Sequence, residues 1–204
     1  MTKIILVRHG HVEGISPERF RGRADLPLTE LGRRQAAAVS RYVAANWRPS
    51  AIFTSPLSRC RAVAAAIGQP FNLDPQPVDG LIDIDYGDWQ GLTPDEARAR
   101  WPDLVETWCR APERAQIPGG ETLPQLRDRA AEALREIARK HPDDAVVAVA
   151  HDVVNRVLLL HALAAPLSCF WRIRQDPCGV NEIDADDDRC VVFGVNHTHH
   201  LRDL

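Results

Sequence analysis

The 204-residue sequence has no C-x-x-C pair among its five cysteines, no excess of basic residues and no compositional bias. It also lacks any apolar run near the roughly 18 residues that a membrane helix needs. Each absence excludes something. Cys60, Cys109, Cys169, Cys178 and Cys190 are odd in number and irregularly spaced, which argues against a disulfide framework or a zinc-knuckle and predicts buried, reduced thiols. With neither a membrane-length segment nor a leader pattern, the expected protein is soluble and cytoplasmic. Lys+Arg 25 against Asp+Glu 28 gives a net charge of -3 and no basic stripe for nucleic acid or an anionic membrane. Any anion it binds must be met by a local cluster. Gly 12 and Pro 15 are ordinary amounts, so collagen-like and low-complexity readings fall away. The 45% hydrophobic and 26% charged residues suit a packed core, and one domain over 1–204 is expected, without repeat or linker.

What is present alternates between strand and helix. Residues 3–7 are a short apolar run ended by Arg8-His9-Gly10, as for a strand buried on both faces. A long loop over 11–27 follows. Thr29 then reads as the N-cap of a helix to about Trp47, and Ala51–Thr54 as a second strand. Ser55-Pro56 reads as N-cap and first residue of another helix, with Arg59 in its first turn. Residues 69–93 are rich in Pro, Gly and Asp. Helical segments are expected near 94–110, and Gly119-Gly120-Glu121-Thr122 opens a longer helix to about Lys140. Ala145–Ala150 is another buried strand pattern, ended by His151 and followed by a helix to about Leu163, and the tail holds two strands near 180–184 and 190–195. The alternation predicts an α/β layered fold around a mainly parallel sheet, whose ligands bind beyond the carboxyl ends of the strands. His9 and His151 both occupy that place.

Two guanidiniums, Arg8 and Arg59, two imidazoles and a helix N-terminus would converge there if the strand ends are neighbours. Planar guanidinium forks grip phosphate oxygens in pairs, and helix amides add positive potential, so the cluster suits a dianion without a metal. Arg-His-Gly alone is weak, since chance supplies so short a pattern often. The ordered ensemble is stronger.

That ensemble resembles the histidine phosphatase superfamily, in its phosphoglycerate-mutase-like branch. The likeness spans nearly the whole chain: Arg8-His9-Gly10, Arg19-Phe20-Arg21-Gly22 with Asp25, Leu28-Thr29 before Gly32, Ser55-Pro56-Leu57 with Arg59, Leu81-Ile82-Asp83 before Tyr86-Gly87, Trp89-Gln90-Gly91, Gly119-Gly120-Glu121, His151, and Asn196 before His200-Leu201. The resemblance implies a three-layer α/β/α sandwich, His9 as a nucleophile that becomes phosphohistidine, and Arg8, Arg59 and His151 on the phosphate oxygens, with His151 protonated when phosphate is bound. Arg21 and Gly22 match positions near the substrate phosphate, and His11 is expected at the same mouth. The proton for the leaving alkoxide usually comes from a Glu, and that position is Asp83 here. Asp152 is the rival acid, because the acid-phosphatase branch uses a His-Asp pair, although Asp152 serves equally well as a helix N-cap. Glu13, Asp85 and Glu121 are more distant candidates, read as solvated or capping.

The implied activity is metal-independent hydrolysis of a small phosphomonoester, releasing inorganic phosphate, with no cofactor. A homodimer is compatible with the sequence. A phosphoglycerate mutase is the alternative, yet eleven positions after Asp83 stands Pro94 instead of the mutases' Lys, and no Arg-Arg pair lies between it and His151. A phosphoester-binding pseudoenzyme is the other alternative, motivated by the Glu-to-Asp change. Residues 94–120, with Trp101 and Trp108, are expected to form a cap. The histidines at 197, 199 and 200 read as a surface tail near the pocket instead of a metal site, and His141 and His161 as structural.

Overall fold

Within Thr2–Arg8 (β1), side chains alternate between two apolar cores, and it is this double burial that makes the run a central strand. Ile4 and Leu6 enter one core and Ile5 and Val7 the other, all with no exposed surface. Each such side chain contributes about 1.5–3 kcal/mol on leaving water. A computed structural model describes residues 1–186 and 189–204 of the chain.

Glu30–Asn46 (α1) follows the first loop, capped by Thr29, whose Oγ1 accepts from the Gly32 amide at 3.1 Å. Next come Ala51–Thr54 (β2), Ser58–Gly68 (α2) and Pro75–Pro77 (β3). Pro94–Arg100 (α3) and Pro102–Arg110 (α4) lead to Leu123–Lys140 (α5), Ala145–Ala150 (β4) and Asp152–Ala162 (α6). Val180–Ala185 (β5) and Cys190–His197 (β6) complete the sheet. Its order is β3-β2-β4-β1-β5-β6. The first four strands are parallel, while β5 pairs antiparallel with both β1 and β6. Helices α1 and α2 pack on one face, and α5 and α6 on the other. The expected three-layer α/β/α sandwich is the fold.

The register of β1 against β4 ends on Arg8 opposite Ala150. His9 and His151 therefore leave adjacent strands at one level.

Three expectations need correction. Pro75–Pro77 is a strand, which its prolines hid; it is tolerated because β3 is an edge that pairs with β2 alone. Ser55 does not cap α2: the N-cap is Leu57, without a side-chain bond. Only Cys60 and Cys178 are buried, whereas Cys109 is exposed and Cys169 and Cys190 are half-covered. All five are free thiols.

Candidate active site

Arg8, the last residue of β1, and His9 behind it stand beside His151, the N-cap of α6. The His9 amide donates to the Ala150 carbonyl at 3.0 Å, and the two imidazole rings meet edge to face with centroids 5.3 Å apart. Arg59 arrives from the first turn of α2 with no exposed surface. Its Nη1 donates to Ala24 O at 2.6 Å, and its Nη2 to Gly22 O at 2.7 Å and Asp83 Oδ2 at 3.1 Å. Asp83 sits on a loop that Arg129 of α5 clamps: its guanidinium donates to the carbonyls of Gly80, Ile82 and Asp83 while Glu121 holds its other side. Asp83 Oδ2 lies 3.5 Å from His151 Nδ1. The sequence-expected set of Arg8, His9, Arg59, Asp83 and His151 is thus assembled and buried.

The hydrogen bonding fixes which atoms are free to react. His9 Nδ1 faces the Gly10 carbonyl at 2.7 Å. A carbonyl only accepts, so Nδ1 carries the proton and Nε2 keeps its lone pair. Burial first, and then coupling to His151 and to the guanidiniums of Arg59 and Arg8, hold His9 well below the usual imidazole range, so it is neutral near pH 7. His151 is lowered in the same way, by burial and then by Arg59 and Arg8, and its Nε2 meets Ser55 Oγ at 2.8 Å. Burial pushes the Asp83 carboxyl up, against the opposing pull of Arg59. The Nε atoms of Arg8, Arg21 and Arg59 are buried and have no hydrogen-bond partner among the described residues.

His9, Arg21 and Asp83 open onto a cleft of about 90 Å³ whose walls also include Gly22 and Trp108, while Arg8, Arg59 and His151 are not among its lining residues. The family model of the histidine phosphatase superfamily (branch 1) matches residues 4–198. The chain belongs to the histidine phosphatase superfamily. Phosphoserine phosphatase 1 of Hydrogenobacter thermophilus is 31% identical over 98% of this chain and 95% of its own length. A metal-independent phosphoserine phosphatase of Arabidopsis thaliana is 32% identical over 98% of this chain and 84% of its own. Among solved structures, Bacillus stearothermophilus YhfR superposes with a TM-score of 0.93 at 28% identity, covering 98% of this chain and 99% of that one.

The other residues singled out in this histidine phosphatase fall less neatly. Arg21 and Gly22 do line the cleft. His11 does not: Nδ1 faces Thr29 Oγ1 at 2.9 Å, so it braces the cap of α1. Asp152 is the first residue of α6, with His151 as N-cap, and it bonds Arg156 Nε at 2.6 Å. Two amides at the start of α2 are already engaged, Ser58 by Asp25 and Leu57 by Ser55, so that terminus offers the dianion less than expected. Glu13 is exposed, Asp85 accepts from Gly87 and pairs with Arg23, and Glu121 pairs with Arg129. Of the expected cap, Trp108 reaches the cleft while Trp101 packs on the core. His200 stacks on Tyr42 of α1 and His199 meets the same ring edge-on instead of lining the cleft, and no group of three or more potential metal ligands is close enough to hold an ion among the described residues. His141 packs on Phe53, as a structural residue would, but His161 is exposed and lines a groove with Arg135. Among the described residues no helix is long and apolar enough to cross a membrane.

Sequence reasoning missed Arg156, Tyr86, Phe170 and Trp171, which also line the cleft, and Ser55 as the partner of His151. For Arg156 a signal existed: it follows Asp152 by four positions on a helix that starts at the site.

Proposed function

We propose that this histidine phosphatase hydrolyses a small phosphomonoester, without a metal, through a phosphohistidine at His9. The observation that carries the reading is the trio of unpartnered guanidinium nitrogens on Arg8, Arg21 and Arg59 around a neutral imidazole with a free Nε2. A buried charged donor without an acceptor costs about 1–3 kcal/mol or more, and a phosphate dianion supplies the missing acceptors.

In the first step His9 Nε2 attacks phosphorus, the bond to the ester oxygen breaks, and the departing alkoxide takes the proton of Asp83. The guanidiniums and His151 hold the oxygens where charge spreads in the transition state. In the second step water attacks phosphorus, Asp83 takes back a proton, the P–N bond breaks, and inorganic phosphate leaves. Asp83 bonds Arg59 in the structure, so a dianion that claims Arg59 releases this carboxyl and favours its protonated form. The name of the Arabidopsis relative supports metal independence. The mutase alternative has no comparable support, since Pro94 merely starts α3.

The test is phosphate release from p-nitrophenyl phosphate and a panel of phosphomonoesters in excess chelator, with rapid-quench trapping of labelled enzyme. Turnover that survives chelator, an acid-labile phosphoenzyme, and loss of both in His9→Ala are the expected results. Phosphate binding without turnover would overturn the proposal in favour of a binding protein.

A further inference from the structure

Arg156 stands one turn beyond Asp152 on α6, so both side chains project from the same face into the cleft. Its Nε donates to Asp152 Oδ1 at 2.6 Å and its Nη1 to Phe170 O at 3.4 Å, while Nη2 makes no hydrogen bond to any described residue. The guanidinium carbon lies 5.1 Å from the ring centroid of Phe170 and 5.2 Å from that of Trp171. The side chain is 13% exposed. Asp152 Oδ2 is 3.8 Å from Arg8 Nη1. One carboxylate therefore stands between two guanidiniums, that of Arg8 at the phosphate end and that of Arg156 farther out.

The phosphate itself has Arg8, Arg21 and Arg59, and nothing in its displacement calls for a fourth guanidinium. A cation locked on aromatic rings and by a carboxylate loses little further freedom on binding, and its free edge suits a planar, two-oxygen anion. Asp152 alone separates it from Arg8, a span on the scale of the three atoms that link phosphorus to the carboxylate carbon in the phosphate ester of a 3-hydroxy acid. We infer that Arg156 binds a carboxylate on the leaving alcohol, so that the cleft selects phosphomonoesters whose carboxylate sits on the carbon next to the one bearing the ester oxygen. Asp152 is then a positioning residue for Arg156 instead of a proton donor. The inference rests on the phosphatase reading above.

Two pairs of esters differ chiefly in the carboxylate: phosphoserine with phosphoethanolamine, and 3-phosphoglycerate with glycerol 3-phosphate. In the wild type the ratio of kcat/KM within each pair should favour the acid by at least about tenfold. Arg156→Gln should lower that ratio by about tenfold to a hundredfold, mainly through KM, and Arg156→Lys should lower it less, because it keeps the charge but loses the fork. Circular dichroism and melting curves confirm that each variant is folded. Ratios near one in the wild type, or ratios that Arg156→Gln leaves in place, would overturn the inference. Binding of the same four esters to His9→Ala, measured by calorimetry, reads the carboxylate preference without turnover. Failure of the phosphatase reading and failure of this one are therefore separate results.

Discussion

Asp83 has its two carboxylate oxygens committed differently, Oδ1 to the Ile84 amide at 3.0 Å and Oδ2 to Arg59 at 3.1 Å. Burial still holds its pKa above 3.8. For a group raised in the folded state, the stability it contributes is full below the unfolded value and is lost as pH rises through the folded one. Stability should therefore fall as pH rises through the folded-state value of Asp83, and Asp83→Asn should remove that fall, as a pair of calorimetric series across pH would read. The same change should slow an alkyl phosphate by about 10²–10⁴-fold and p-nitrophenyl phosphate much less, because a good leaving group needs little protonation. Equal losses on both esters would remove Asp83 from the role of acid. His9 adds the complementary point: it is neutral because burial and cations hold it so, not because of a dedicated base.

At the scale of elements, the first loop docks on α1 through glycines. A Cβ on Gly32 would come within 2.2 Å of the His11 carbonyl, and one on Gly10 within 2.7 Å of the Gly32 carbonyl. Gly32→Ala should destabilise the protein by about 1–3 kcal/mol, read as a lower denaturant midpoint at an unchanged slope. Capped helices were legible because their signals are local. Thr29 and Thr122 accept from amides three residues on, and the apolar runs of β1 and β4 ended at histidines as expected. What escaped depended on contacts distant in sequence. Ser55 looked like a cap for the next helix, yet its hydroxyl belongs to His151, 96 residues away. Pro75–Pro77 follows no strand pattern and pairs only because β2 presents an edge beside it. Arg129 carried no motif, and its role as a clamp on the Asp83 loop exists only once α5 is packed. Arg8, His9, Arg59 and His151 were readable because each lies at an element boundary, and Asp83 because it occupies the family's acid position; the aromatic wall was not, since nothing in Phe170 or Trp171 distinguishes a cleft from a core.

For the whole molecule, two imidazoles held well below the ordinary histidine value of about 6.5 shape how stability follows pH. Both bind protons more readily when the chain unfolds. Their contribution is therefore complete above about pH 6.5 and is lost as pH falls below it, by up to about 1.4 kcal/mol per pH unit for each histidine. Denaturant titrations from pH 7.5 to 5 should show this decline in the wild type and a shallower one in His9→Asn; parallel curves would refute the assignment. The parallel register that ends on Arg8 and Ala150 carries one further consequence. The spacing of the two histidines is set by backbone ladders, whereas the cleft around them is furnished by side chains from the first loop, α4, α6 and the turn at 167–172. The spacing of the histidines and the lining of the cleft thus depend on different kinds of interaction. Laboratory evolution confined to Trp108, Arg156 and Trp171 has a direct route to new esters, because none of these residues belongs to the hydrogen-bonded ladder that spaces the histidines.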